Sequence, residues 1–163
     1  MTHRCSNCGQ DAKKTRANYL FRESGLHNVV LKNIEVIKCS HCGNEDPIIH
    51  RMADLMKQIA QALVEKPYAL TGAEIRFLRK YLGMNGADFA SLLHSDKTVL
   101  SRWENDQVDV GSKSDLLIRA IVCNLGSGLK PEAERIVRKF PEIDESASKS
   151  LRIEINDSTF AYA

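Results

Sequence analysis

Four of the chain's five cysteines stand in two short knuckles, Cys5-Ser6-Asn7-Cys8-Gly9 and Cys39-Ser40-His41-Cys42-Gly43. Thiolates paired at this spacing on two separate turns can converge on one tetrahedral point, the arrangement Zn²⁺ takes in a closed structural site. The glycine after each second cysteine suits the end of such a turn, where φ > 0 costs glycine little. The spacing therefore predicts one structural Zn²⁺ per chain, held by Cys5, Cys8, Cys39 and Cys42. Two disulfides, or four unrelated thiols, are the competing uses of these residues. Disulfides belong to an oxidising compartment, and no feature of the chain points to secretion. His41 can replace a thiolate in principle, but the cysteines already complete the set. His3, His27 and His50 show neither ligand spacing nor a nucleophile partner.

A second constellation lies at residues 85–105, NGADFASLLHSDKTVLSRWEN. A helix-turn-helix needs a small residue where its helices cross, a residue tolerant of the left-handed region in the turn, and an apolar residue midway along the second helix. Ala90, His94 and Leu100 stand at those offsets. His94 replaces the usual glycine, but histidine visits the left-handed region more than most residues. Asn85 suits the cap of the first helix, and Phe89, Leu92, Leu93, Val99 and Trp103 supply apolar packing. An ordinary helical hairpin is the alternative.

On the second helix, Arg102 is the first candidate for base readout, because a guanidinium can grip guanine O6 and N7 through two hydrogen bonds. Its alternative is an ion pair inside the domain. Thr98 suits a thymine methyl or a phosphate. Lys97 and Ser101 suit phosphate contacts, which position without specifying sequence; a solvated helix face is their alternative. Asn105 and Gln107 are weaker backbone-contact candidates. Glu104 repels phosphate and is assigned to orienting Arg76 or Arg79. Trp103 is assigned to packing, and the lone Cys123 to a buried apolar cluster with Ile118, Ile121 and Val122.

The elements that must position these residues are legible in part. Short apolar runs, Tyr19–Phe21, Val29–Leu31 and Ile34–Ile37, are separated by Ser24-Gly25 and Lys32-Asn33, which read as turns. Pro47 opens a predicted helix from Ile48 to about Val64, with Ile49, Met52, Met56, Ile59 and Leu63 near helical spacing. Pro67 stops it, and Glu65–Tyr68 reads as a hinge. Thr71-Gly72-Ala73-Glu74 is a capping box ahead of a helix presenting Ile75, Leu78 and Leu82, ended by Gly83. Helices follow at Gly86–Leu93, Lys97–Asn105 and about Lys113–Asn124, the last with Ser112 and Asp115 as its cap pattern. Pro131–Lys139 reads as a further short helix, closed by Pro141. Asp144–Ser150, Ser-rich and acidic, reads as a linker, and the alternation Leu151-Arg152-Ile153-Glu154-Ile155 as a half-buried strand.

At 163 residues the chain holds one ordinary domain or two small ones. A small N-terminal piece buries little apolar surface, so a metal would supply much of its folding energy. The first 24 residues are polar and charged, and no apolar run approaches a membrane span. A cytoplasmic protein without membrane attachment is expected. The net charge of +2 is spread without a uniformly basic segment, so any nucleic-acid contact uses selected side chains on one face. An enzyme is not expected: a catalytic zinc keeps a coordination position open for water, four cysteines close it, and no base–nucleophile pair stands elsewhere. Zinc sensing is a weaker alternative, since closed four-cysteine sites hold metal tightly.

The string Ser101-Arg102-Trp103-Glu104-Asn105 resembles the Cro/Xre helix-turn-helix family. Two C-x-x-C-G knuckles upstream of it resemble the MqsA/YgiT-type zinc-finger antitoxins, over about residues 1–125. The resemblance implies an α+β chain in which a small N-terminal zinc ribbon joins an all-α five-helix Cro/Xre-type domain. The elements read above divide the chain into residues 1–66, the ribbon and a linker helix; 67–143, the helix-turn-helix domain; and 144–163, a tail with a short strand, whose length the resemblance does not explain. The resemblance further implies a homodimeric repressor of palindromic operators in double-stranded DNA, acting as the antitoxin of a toxin–antitoxin pair, with a ribonuclease toxin on the N-terminal domain. In the family an Asn and an Arg four positions apart reach base edges. Arg102 matches the Arg, but Thr98 stands for the Asn and Gly86 for a common Gln, so a different operator is implied. A regulator with no toxin partner and a protein-binding adaptor remain the alternatives.

Overall fold

The structure, a computed structural model, describes residues 3–126 and 144–156. In chain order its elements are β1 (His3–Arg4), β2 (Asp11–Leu20), β3 (Val29–Cys39), β4 (Glu45–Pro47), α1 (Met52–Glu65), β5 (Tyr68–Ala69), α2 (Gly72–Tyr81), α3 (Gly86–Leu92), α4 (Lys97–Glu104), α5 (Ser112–Leu125), β6 (Asp144–Ser148) and β7 (Ile153–Asn156). They divide into two compact units. Among the described residues, the first takes 3–22, 27–55 and 152–156, and the second 23–26, 56–126 and 144–151.

The first unit is built on a five-stranded mixed sheet. β1, β2, β3 and β4 pair antiparallel in that order, and β7 runs parallel to the start of β3. Lys32-Asn33 is not a turn, as its composition suggests, but a bulge inside one continuous strand. Ala17 pairs with Ile34 and Tyr19 with Leu31, so two residues of β3 oppose the single Asn18 of β2. Asn33 takes φ 54°, its N–H donates to Asn18 Oδ1 at 3.1 Å, and its carbonyl accepts from Arg16 Nη1 at 2.9 Å. The extra residue shifts the side-chain phase by one. That is why Val29 and Leu31 before it, and Ile34 and Val36 after it, are all buried.

Pro47 closes β4 rather than opening a helix: it pairs with Val36, and the Ile48 N–H donates to the Glu35 carbonyl. α1 accordingly begins at Met52. Its buried side is Leu55, Ile59, Ala60, Leu63 and Val64, while Met52 is exposed.

The second unit carries α2 to α5. The capping box forms as expected, the Thr71 hydroxyl accepting from Glu74 N–H and the Glu74 carboxylate from Thr71 N–H. Three successive helices end in the same motif, a left-handed residue followed by a bond from the next N–H back to the carbonyl five residues before it. For α2 it is Gly83 (φ 68°) with Met84 N–H to Arg79 O. For α3 it is His94 (φ 46°) with Ser95 N–H to Ala90 O. For α4 it is Asp106 (φ 52°) with Gln107 N–H to Arg102 O. α5 departs from its expected cap: Gly111 is the N-cap and makes no side-chain bond. Asp115 instead accepts from Leu70 N–H and Arg119 Nε, buried groups that outcompete an exposed helix end.

The chain is α+β overall, but the expectation of a small ribbon joined to an all-α five-helix domain is corrected. The N-terminal sheet has five strands, one of them drawn from the C-terminal tail. The helical unit contains a parallel β5–β6 pair, with Tyr68 opposite Asp144 and Ala69 opposite Ser148. Residues 144–148 lack an apolar pattern because their partner supplies backbone hydrogen bonds, which composition does not register. The helix expected at Pro131–Lys139 lies outside the described residues. Among the described residues, no helix is long and apolar enough to cross a membrane.

Candidate functional site

Both knuckles are built by the same backbone device. Gly9 N–H donates to Cys5 O and Gly43 N–H to Cys39 O, at 3.0 and 3.1 Å; Cys5 N–H reaches Gln10 O and Cys39 N–H reaches Asn44 O, both at 2.9 Å. Gly9 and Gly43 take φ 70° and 74°, so glycine is required at these two positions. The sheet then brings the knuckles together, because Ala12 at the start of β2 pairs with Cys39 at the end of β3. Across the gap the Ser6 hydroxyl donates to Asp46 Oδ2, and the Asn44 amide donates to both Ser6 Oγ and Asp46 Oδ1.

The result is one four-sulfur cluster. The Cys5, Cys8, Cys39 and Cys42 sulfurs all lie within 4.8 Å of one another. Cys5 Sγ is 3.5 Å from Cys42 Sγ, and Cys8 Sγ 3.6 Å from Cys39 Sγ. A disulfide needs about 2.0 Å, and none of these four cysteines is in a disulfide. A tetrahedral ion with metal–sulfur bonds of about 2.3 Å needs sulfurs about 3.8 Å apart; these two pairs lie close to that and the others within 4.8 Å, so the cluster could hold a metal ion. Cys5 and Cys39 are buried around Ala12, with Cys8 and Ile37 against them, and Cys42 is exposed.

The metal-free thiols compete for negative charge. The Asn44 N–H, together with the facing Cys8 and Cys5 sulfurs, brings the Cys42 thiol below its usual pKa against some desolvation. The Gln10 N–H pulls Cys8 the same way, but desolvation and the sulfurs of Cys42, Cys39 and Cys5 outweigh it, and its pKa is pushed up to about 12. A cation at the centre removes that conflict.

In the second unit, the residues singled out on α4 fall on one side of the helix. Lys97, Thr98, Ser101, Arg102 and Asn105 are all exposed. At 100° per residue they span an arc of about 140°. Leu100 points the other way and is buried, with Val99 and Trp103 half-buried beside it. The Lys97, Thr98 and Arg102 side chains are free of hydrogen-bond and ion-pair partners among the described residues. Asn105 is different: its amide donates to Ser101 O at 2.7 Å, and its Oδ1 accepts from Arg76 Nη2 at 2.7 Å. It is exposed but already engaged in closing the helix.

α2 braces the far end of α4. Arg79 donates Nε to Glu104 Oε1 at 2.6 Å and Nη2 to Glu104 Oε2 at 3.1 Å, while its Nη1 reaches Met84 O. Arg76 reaches Glu104 O and Asn105 Oδ1. The start of α2 touches the same turn: Gly72 N–H donates to Asp106 Oδ1 at 2.6 Å. A Cβ at Gly72 would stand 2.3 Å from Trp103 O. Of these contacts, Glu104 with Arg76 and Arg79 is readable from charge alone; Gly72 with Asp106 is not, since the capping box around Gly72 says nothing of a partner 34 residues away.

The sequence reading also passes over a buried charged cluster in the second unit. Lys66, Glu74, Asp115 and Arg119 are each 2% exposed or less. Arg119 donates to Asp115 and to the carbonyls of Val64, Lys66 and Tyr68. The expected hinge, Glu65–Tyr68, is thereby held fast. The signal in the sequence was the i, i+4 spacing of Asp115 and Arg119 in a helix whose other residues from Leu116 to Cys123 are apolar. No protein-family model, no curated protein and no solved structure matches the chain.

Proposed function

We propose that this chain is a sequence-specific DNA-binding repressor, with α4 as its reading helix and a structural Zn²⁺ in its N-terminal unit. One observation carries the reading of α4: Lys97, Thr98, Ser101 and Arg102 form a single exposed stripe, while outside that stripe the helix is anchored by Leu100 and by the Glu104 grip of α2. An eight-residue helix whose outer side carries cationic and hydroxyl groups, following a tight left-handed turn, has the dimensions and chemistry to enter a major groove. Arg102 reads a guanine, Thr98 a thymine methyl or a phosphate, and Lys97 and Ser101 the backbone. Asn105 serves the helix end rather than the DNA.

Zinc is the metal that four thiolates at tetrahedral spacing suit best. Four thiolates leave no position for a substrate or water, so the ion's work is structural rather than catalytic. Two copies would read half-sites about one helical turn apart. The resemblance extends this to an antitoxin with a toxin partner; co-expression with the neighbouring gene product and pull-down tests that, and absence of a complex removes it.

The decisive test is selection of bound fragments from a random DNA pool, followed by affinity measurements on wild type and Arg102→Ala. The substitution should cost about 1–3 kcal/mol and relax specificity at one base position. No enriched sequence, or unchanged affinity and specificity in the variant, would overturn the assignment.

A further inference from the structure

The Lys66 ammonium is buried in the second unit, and the reading of α4 does not use it. It donates to Glu74 Oε2 at 2.5 Å and to the Lys149 carbonyl at 2.8 Å. Glu74 is equally buried. Its Oε2 also accepts the Thr71 N–H at 2.8 Å, while its Oε1 is buried with no hydrogen-bond partner. Lys149 belongs to the segment that follows β6, and its own ammonium lies 5.7 Å from the centre of the Tyr68 ring on β5. The β5–β6 pair is short, and the Lys66 bond to Lys149 O fastens the chain just beyond it.

Burial is an expensive place for an ammonium. Desolvation holds the Lys66 pKa below its ordinary value even though Glu74 pulls it upward. An apolar side chain could fill the same space at no desolvation cost. It could not donate to a carbonyl and a carboxylate at once, which is what an ammonium's three directed donors allow. The arrangement therefore specifies a geometry more than it adds stability.

That geometry has two ends. One is the tail backbone at Lys149. The other is Glu74, which caps α2 at its first turn, next to Gly72, whose N–H holds Asp106 just past α4. We propose that Lys66 is a buried latch, which fastens the tail at Lys149 to Glu74 and so sets the start of α2, the base from which α2 braces α4. Released, the latch frees residues 144–151 and slackens the reading helix. The consequence for DNA rests on the reading of α4 given above; the latch itself does not.

Hydrogen–deuterium exchange on the full chain tests this with no DNA present, so failure of the latch and failure of the DNA reading are separately visible. The variants are Lys66→Met, which removes the latch and strands the Glu74 charge, and Lys66→Met/Glu74→Gln, which removes both latch and charge. The amides of β6 and residues 149–151 should exchange at least tenfold faster in both variants, with β2 and β3 unchanged. The amides of α4 should exchange faster in Lys66→Met. Wild-type protection of β6 in Lys66→Met, or its full return in the double variant, would overturn the latch, since Lys66 would then only neutralise Glu74. Wild-type protection of α4 in Lys66→Met would overturn the bracing. If the single variant fails to fold, the double variant, in which the remaining buried charges Asp115 and Arg119 still pair with each other, decides the tail arm alone.

Discussion

Arg79 holds both oxygens of Glu104, Nε to Oε1 at 2.6 Å and Nη2 to Oε2 at 3.1 Å, across the junction between α2 and α4. Both side chains are largely buried, and the carboxylate raises the Arg79 pKa further above its already high value, chiefly through this hydrogen bond. The two-pronged geometry fixes the rotation of α4 about its own axis, which decides where Arg102 points. A lysine can occupy the place of Arg79 but cannot grip in this way.

Arg79→Lys should therefore lower stability by about 1–2 kcal/mol, and Glu104→Ala by about 2–4 kcal/mol because it leaves a guanidinium unpaired. Urea denaturation of the single variants and of the double variant checks this. Simple additivity of the two would show that the pair is not coupled.

Gly72→Ala should destabilise by about 2 kcal/mol or more. The new methyl would meet the Trp103 carbonyl, which is backbone and cannot rotate away. A thermal melt reads the loss. A melting temperature at the wild-type value would mean that α2 and α4 sit further apart than described.

His94 at φ 46° invites the opposite result. Glycine adopts the left-handed region without the steric cost, so His94→Gly should stabilise by about 1 kcal/mol. His94→Val, branched at Cβ, should destabilise by more than that. Chemical denaturation of the two variants checks the sign of each.

Metal should bind in a ratio of one zinc per chain, and Cys39→Ser should reduce both zinc content and the protection of the first unit's sheet. Binding should tighten as pH rises. Cys8, pushed up to about 12 in the metal-free cluster, carries its proton at neutral pH, and the metal must displace it. Each proton displaced steepens the dependence by about one decade of affinity per pH unit. Competition with a chromophoric chelator between pH 6 and 8 measures the slope; a flat profile would show that the thiols are already ionised.

Local chemistry explains why some of this was readable in advance. The knuckles announce themselves because Cys-x-x-Cys-Gly specifies a turn and its ligands within five residues. The capping box at Thr71–Glu74, the Asn85 cap and the left-handed His94 are equally local, each settled by a side chain or a φ preference acting over one turn. Apolar alternation marked Ile153 and Ile155 as one side of a strand, and both are buried.

In four places the deciding partner lay outside the local segment, and the local reading failed. Lys32-Asn33 has turn composition, yet ladder bonds from β2 keep the strand continuous and make a bulge of it. Pro47 can begin a helix, yet Val36 offers an edge where it completes a strand. Asp115 has the spacing of a cap, yet buried donors at Leu70 and Arg119 claim it. Lys66 looks like a hinge residue until Glu74 and Lys149, eight and eighty-three positions away, accept its protons.

The residue types alone thus point to the four cysteines that could hold a metal ion and to the polar stripe of α4, because each knuckle and the helix stripe depend on side chains within a turn or two of each other. Tertiary structure alone decides the five-stranded sheet with its tail strand, the parallel β5–β6 pair in the helical unit and the buried charges beneath it. The reason is physical. Backbone pairing and buried ion pairs gain their free energy from partners that only the folded chain brings within hydrogen-bond distance, out of water.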